Sequence, residues 1–249
     1  MKVRRIIPLI IFFSGWEAIV MFGIFPSYLL SPPTVALATL FQLSLSGELI
    51  KHIFYSLFRA FSGLSLAALI AIPLGIAMGW SRLADDLCSP LVELFRPLPV
   101  VALIPVAILW LGIGDASKIS LICFACFFPI LLNTISGVRG VDITLVKAAR
   151  SMGATEVQIL KGVMFPGALP TILTGLRISL AVSLIIVIVM EMIGAAHGIG
   201  YFIWSAKLTF RTNEMYAGII AIGIIGFTLN EMMMRIERKL LVWRPEVSA

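Results

Sequence analysis

From Ala60 to Trp80 the chain carries no ionisable side chain, and five other long apolar stretches accompany that run. We place the spans at Ile6–Phe25, Ser56–Trp80, Pro97–Gly112, Ile119–Val138, Ala168–Met192 and Met215–Met234. About 20 apolar residues are needed for a helix to cross roughly 30 Å of hydrocarbon. Hydrophobic residues make up 60% of the 249 and charged residues 13%, against roughly half and a quarter in a soluble domain. A soluble, fibrous or disordered chain is excluded, because so little polar surface could not cover the rest. A transmembrane β-barrel would show short alternating segments, and these runs are continuous. The expected architecture is an all-α membrane protein with about six transmembrane helices, forming a single domain over residues 1–249.

The start, MKVRR followed by an apolar run, resembles a secretory signal. The run is span-length and no A-x-A site follows, so we read it as an uncleaved first span. The third stretch is short and holds Pro97, Pro99 and Pro105. It should bend, or extend backward through Leu87–Phe95. With six spans and both termini in the cytoplasm, 13 Lys and Arg fall inside and 5 outside, with Arg177 within a span. That is the sense of the positive-inside rule. Three cysteines are too few for a disulfide framework, and Cys123 and Cys126 read as small packing residues.

Gly63, Ala67, Ala71, Gly75 and Gly79 recur every four residues along the second span. Small side chains on one face let helix backbones approach closely where lipid supplies no hydrophobic drive. The spacing predicts a packing face. It does not say whether the partner helix lies in this chain or another.

The segment from Val141 to Pro170 lies between spans four and five on the basic side. Asp142 is placed to cap a helix over about 143–152, and Gly153 suits the left-handed residue that ends one. Thr155 with Gln158 forms a capping box for a second short helix. Pro166 is expected to stop that helix, and Pro170 to open span five. The result is a helix–glycine–helix elbow at about 141–166. Lys147, Arg150, Glu156 and Lys161 are assigned to water, and Ile143, Val146, Val157 and Leu160 to burial. Ala148, Ala149, Gly153 and Ala154 leave low relief at the turn. Such a tip either seats in a groove on another protein or packs on its own spans.

The pattern Ala148, Ala149, Gly153, then Val163, Met164, Phe165, Pro166, resembles the EAA loop of binding-protein-dependent ABC importer permeases. Lys147 stands where that family has Glu, and V-M-F-P where it has I-x-L-P. The resemblance extends through SLFRAFSGLSLAALIAIPLGIAMGWS, SPLVELFRPLPVVALIPVAILWLGIGDASKI, GALPTILTGLRISLA and EMIGAAHGIG. Together these are similar to the nitrate, taurine, aliphatic-sulfonate and bicarbonate permeases, the taurine type most of all. The resemblance implies a type I importer permease fold in a bacterial-type cytoplasmic membrane. It implies a non-catalytic subunit that pairs with a second permease copy, as a homodimer, and takes a small anion from an extracytoplasmic binding protein. It also implies that cytoplasmic ATPase subunits, holding ATP and Mg, grip the elbow at Lys147, Ala148, Ala149, Gly153, Ala154 and Thr155. The chain itself has no G-x-x-x-x-G-K-[ST] phosphate loop.

An ionisable residue at the centre of a membrane helix costs roughly 2.5–3.5 kcal/mol. Glu17 and Arg177 lie at reachable depths. They pair with each other, or Arg177 faces the translocation path, or each is satisfied separately. Glu191 is 14 residues beyond Arg177, about 21 Å along a helix, near the outer surface. With Gly194, Gly198 and Gly200 it is an outer gate, a docking surface for the binding protein, or a solvated helix end. Arg59 draws in anions or, as we favour, anchors the outer end of span two. His52 and His197 look isolated and no metal-ligand cluster appears. The basic balance fits topology and anionic lipid rather than nucleic acid. An ion-gradient-driven secondary transporter is the alternative, though no inverted repeat is seen.

Overall fold

A computed structural model of the chain describes residues 2–26 and 28–241. Arg244 of the basic tail lies outside them. Among the described residues there is helix and no strand. Contacts divide the chain into two compact units, Phe58–Val187 with Thr228–Ala249, and Met1–Leu57 with Ile188–Phe227.

In the first of these units the glycine–alanine stripe finds its partner within the chain. It lies on α3 (Glu48–Trp80) and packs on α6 (Asp115–Arg139). A Cβ added at Gly75 would stand 2.7 Å from Thr134, and one at Gly79 would stand 2.6 Å from Val138. Gly63 meets Ile122 in the same way, and Ala67 and Ala71 are fully buried between them. The facing residues Ile122, Cys126, Ile130, Thr134 and Val138 are buried too, at the same four-residue spacing. Close backbone approach and dispersion contacts hold this pair, because lipid offers no hydrophobic gain for it.

The three glycine contacts share a 59-residue offset. A constant offset means that α3 and α6 run parallel. Arg59 of α3 meets Asp115 at the start of α6, at 2.7 Å. From Arg59 to Trp80 is about 32 Å of helix, the thickness of a bilayer core. Residues 81–114 must therefore carry the chain back across. They do so as α4 (Arg82–Phe95), a 3₁₀ turn over Val100–Leu103 and α5 (Ile104–Leu111). The two halves are bent by 83° at the Arg-Pro-Leu-Pro sequence of residues 96–99, as the prolines of the third stretch predict.

α9 (Phe165–Gly194) packs antiparallel on α6, with Gly175 against Asn133 and Gly137 against Thr171. Ser179 Oγ donates to the Cys126 carbonyl at 2.9 Å, and Cys126 Sγ donates to the Ser179 carbonyl at 3.3 Å. The cysteine is thus a small packing residue.

The other unit holds α1 (Lys2–Met21), α2 (Pro33–Leu45), the start of α3, the end of α9, α10 (Ile199–Leu208) and the start of α11 (Thr212–Leu240). Leu49, Phe202 and Ala221 form one buried cluster in it. The chain between α1 and α2 is pinned to α11. Ser31 Oγ donates to Asn213 Oδ1 at 2.8 Å, and Thr212 Oγ1 donates to the Tyr28 carbonyl at 2.7 Å.

Four helical segments are long and apolar enough to cross a membrane: α3, α6, Glu156–Gly194 and α11. The bent pair makes a fifth. The expected first span ends early. α1 stops at Met21 rather than Phe25, and Gly23 takes a left-handed φ of +70°.

Candidate functional site

The elbow is built from local signals. Asp142 Oδ1 accepts the Thr144 N–H at 2.8 Å and caps α7 (Ile143–Ser151). That bond holds the Asp142 carboxyl below the usual carboxylate range. At the other end Gly153 has φ +83°. The Gly153 N–H reaches the Arg150 carbonyl and the Ala154 N–H reaches the Ala149 carbonyl. This is the paired closure of a Schellman motif, which needs glycine at its left-handed position. The Thr155–Gln158 capping box then starts α8 (Glu156–Ile159), with both of its reciprocal bonds made. Arg150 and Glu156 bridge the turn at 2.8 Å, each more than half exposed. A pair so solvated contributes at most about 1 kcal/mol.

The second arm of the elbow corrects an expectation. Pro166 does not stop it. α8 runs through a π turn at Leu160–Met164 directly into α9. The wider i→i+5 turn takes up the N–H that proline lacks and the crowding of its ring. The second arm of the elbow and the span after it are therefore one continuous helical body, Glu156–Gly194.

The elbow has two faces. Val146, Ala149, Ile159 and Met164 pack with Val138, Ala168 and Ile172, against Ile76 and Trp80 of α3. On the other face Leu145, Met152 and Val157 are exposed, Met152 by 81%, beside exposed Lys147, Ala148, Gly153 and Thr155. Four placements differ from the expected ones. Ile143 and Val157, assigned to burial, are about 60% exposed, whereas Ala149 is buried and Ala154 half-buried. The two short helices are too brief to bury a full stripe, and only the side toward α3, α6 and α9 is covered. An open groove of about 540 Å³ lies beside the elbow, lined by Trp80, Arg139, Ile143, Arg150 and Glu156 among others.

Glu191 is not a solvated helix end. It is 1% exposed. Its carboxylate accepts Ser56 Oγ at 2.8 and 2.9 Å and the Gly200 N–H at 3.0 Å. Ser56 Oγ in turn accepts the Ile199 N–H, and His52 Nδ1 accepts the Gly198 N–H. The carboxylate thus sits on the first turn of α10, where backbone N–H groups and the helix dipole favour negative charge. Gly198 (φ +127°) and Gly200 are required here, because a Cβ at either would collide with Glu191 or with the Ile188 carbonyl. These glycines are buried, so they offer no exposed docking surface, and Gly194 is the half-buried last residue of α9. The histidines are not isolated: their rings lie 6.2 Å apart. Among the described residues no group of three His, Cys, Asp or Glu could hold a metal.

Glu17 and Arg177 take other partners than each other. Glu17 accepts the Thr34 N–H and hydroxyl at 3.1 and 2.7 Å, at the N-terminus of α2. Arg177 pairs with Glu237 of α11 at 3.2 Å, a partner the sequence reasoning missed. Arg59 is buried against Asp115, which fits a helix anchor.

The arrangement matches known proteins. The family described as binding-protein-dependent transport system inner membrane component matches residues 71–240. A Bacillus subtilis protein named for aliphatic-sulfonate transport, SsuC, is 37% identical over 92% of this chain and 83% of its own length. The taurine transport system permease protein TauC of Escherichia coli is 36% identical over 96% of this chain and 89% of its own. The fold is shared with the inward-facing MetNI methionine ABC transporter. There the TM-score is 0.70 at 21% identity, over 79% of this chain and 98% of that one. These matches favour the ATP-driven reading over an ion gradient. The chain belongs to the family of binding-protein-dependent transport system inner membrane components, and it is a permease subunit of an ABC importer.

Proposed function

We propose that this chain works as one permease domain that forms the path for a small anion, such as a sulfonate, taurine, nitrate or bicarbonate. Cytoplasmic ATPase subunits carry ATP and Mg and seat on the exposed face of the elbow. An extracytoplasmic binding protein delivers the anion, and a second copy of the chain completes the path. The elbow and both termini face the cytoplasm. The α9–α10 turn around Gly194–Gly200, held by buried Glu191, closes the outer mouth. Arg177 faces the path. The lipid bilayer surrounds the apolar spans.

One observation carries the reading. The elbow presents exposed Leu145, Met152 and Val157 on a turn fixed by Gly153, and its second arm continues unbroken into α9. A push that reaches Val157 enters a helix with no break before the span. Closure of the ATPase pair would then tilt α9 and shift the population between outward and inward states.

The test replaces Gly153 by Val in the complex of this chain with its ATPase and binding protein. A β-branched residue is strained at φ +83°. The expected result is ATP hydrolysis without uptake. Unchanged uptake removes the elbow from the mechanism. Labelling of Met152→Cys by an impermeant reagent from outside intact cells would reverse the orientation and defeat the proposal.

A further inference from the structure

Arg177 lies nine residues into the apolar run that begins at Ala168, about 13 Å along the helix. Its side chain is 35% exposed, and that of Glu237 is 21% exposed. Exposing an arginine to hydrocarbon at such a depth is costly, so the exposed edge faces water or protein. The guanidinium uses Nη1 for Glu237, at a long 3.2 Å. Among the described residues its Nε and Nη2 make no hydrogen bond. A planar fork with two directions unspent is suited to bidentate recognition of an oxyanion.

Glu237 sits three residues from the end of α11, among Arg235, Arg238 and Lys239. If it leaves Arg177, its carboxylate has cations and water close at hand. The cost of parting the pair is therefore low.

We propose that Arg177 binds the transported anion and that Glu237 is its resident competitor, holding the guanidinium until a sulfonate-type oxyanion displaces it. This rests on the anion-importer reading, which already sets Arg177 on the path, and adds Glu237 as its competitor. The competition has a use. A cation alone at the cytoplasmic side would hold an anion too tightly to release it, and transport needs sites weak enough to leave. Glu237 reclaims the arginine and expels the anion.

The experiment is a thermal-unfolding titration of the detergent-purified full chain with sodium methanesulfonate at constant ionic strength. The wild type should be stabilised. Glu237→Gln should reach half its shift at about two- to fivefold lower methanesulfonate, the gain expected from removing a partly exposed ion-pair competitor. Arg177→Gln should show no shift. Arg177→Lys keeps the charge without the fork and should show a weakened one, which covers the case in which Arg177→Gln does not fold. A wild type without a shift, a Glu237→Gln half-point equal to wild type, or an Arg177→Lys shift equal to wild type overturns the proposal. A chain that never associates with an ATPase would defeat the importer reading instead, and this titration would remain readable.

Discussion

The hydroxyl of Ser56 stands 2.8 and 2.9 Å from the two carboxylate oxygens of Glu191, and both residues are buried. The same hydroxyl oxygen accepts the N–H of Ile199. One side chain thus joins α3, α9 and α10. Ser56→Ala leaves the carboxylate one donor short and the Ile199 N–H without its acceptor. The expected loss is about 1.5–3 kcal/mol, the range for hydrogen bonds to charged groups. A double-mutant cycle with Glu191→Ala, read by thermal unfolding in detergent, should show coupling above about 0.5 kcal/mol. Additive losses would mean that the two do not act together.

Gly198 is fixed by that carboxylate. Gly198→Ala should be among the most damaging single substitutions in the chain, above about 3 kcal/mol, because it combines a collision with a left-handed backbone strain. In a Glu191→Ala background the collision disappears and the strain remains. The loss from Gly198→Ala should then shrink without vanishing. Equal losses in both backgrounds would show that the collision contributes nothing.

Signals that act within a few residues were legible in the sequence. Asp142, Gly153 and the Thr155–Gln158 box each satisfy backbone groups of their own turn, and each sits as its spacing predicts. The small-residue stripe was legible as a face, while its partner α6 was not, because any helix with a matching groove would serve. Pairings across the fold were hidden. Glu17 finds the N-terminus of α2 and Arg177 finds Glu237, since depth in a membrane leaves the facing direction of each helix open. Glu191 looked terminal because a glycine-rich turn follows it, and only the folding of α10 back onto it buries the carboxylate. Pro166 misled for a different reason: a π turn, which has no simple sequence signature, lets a helix continue past it.

The parallel packing of α3 on α6 makes a steric prediction. At Gly75 even a Cβ would stand 2.7 Å from Thr134, and overpacking typically costs 1–3 kcal/mol. Gly75→Leu should lower the unfolding free energy by that order. Thr134→Ala should recover part of the loss, because the two positions share one contact. Leu69→Ala, on an exposed face of the same helix, should change stability little. Equal effects at Gly75 and Leu69 would remove the stripe from the packing.

Met152 and Ala149 separate docking from folding. Met152 is 81% exposed and Ala149 is 8% exposed. Met152→Glu should leave thermal stability within about 0.5 kcal/mol, as surface changes usually do, and should reduce co-purification with the ATPase subunit. Ala149→Glu buries an unpaired charge in the core that holds the elbow and should destabilise the chain outright. Retained ATPase association by Met152→Glu would move the docking face elsewhere on the elbow.

Asp142 sets the acid limit of the elbow. Its carboxyl is held below the ordinary value of 3.8, first by the backbone N–H of Thr144 and then by the hydroxyl of the same residue. A depressed carboxylate stabilises the fold fully above its unfolded value and loses that contribution as pH falls through the lower folded value. The cap should therefore be intact throughout the neutral range, with no change between pH 6 and 8. It should begin to weaken as pH falls through about 4, the unfolded carboxyl value, and be lost below the folded one. Asp142→Ala should reduce stability at pH 7 and should lose its difference from wild type in strong acid. Measured as the gap between the two unfolding temperatures across pH, a gap that widened on acidification would carry the opposite sign and refute the capping role.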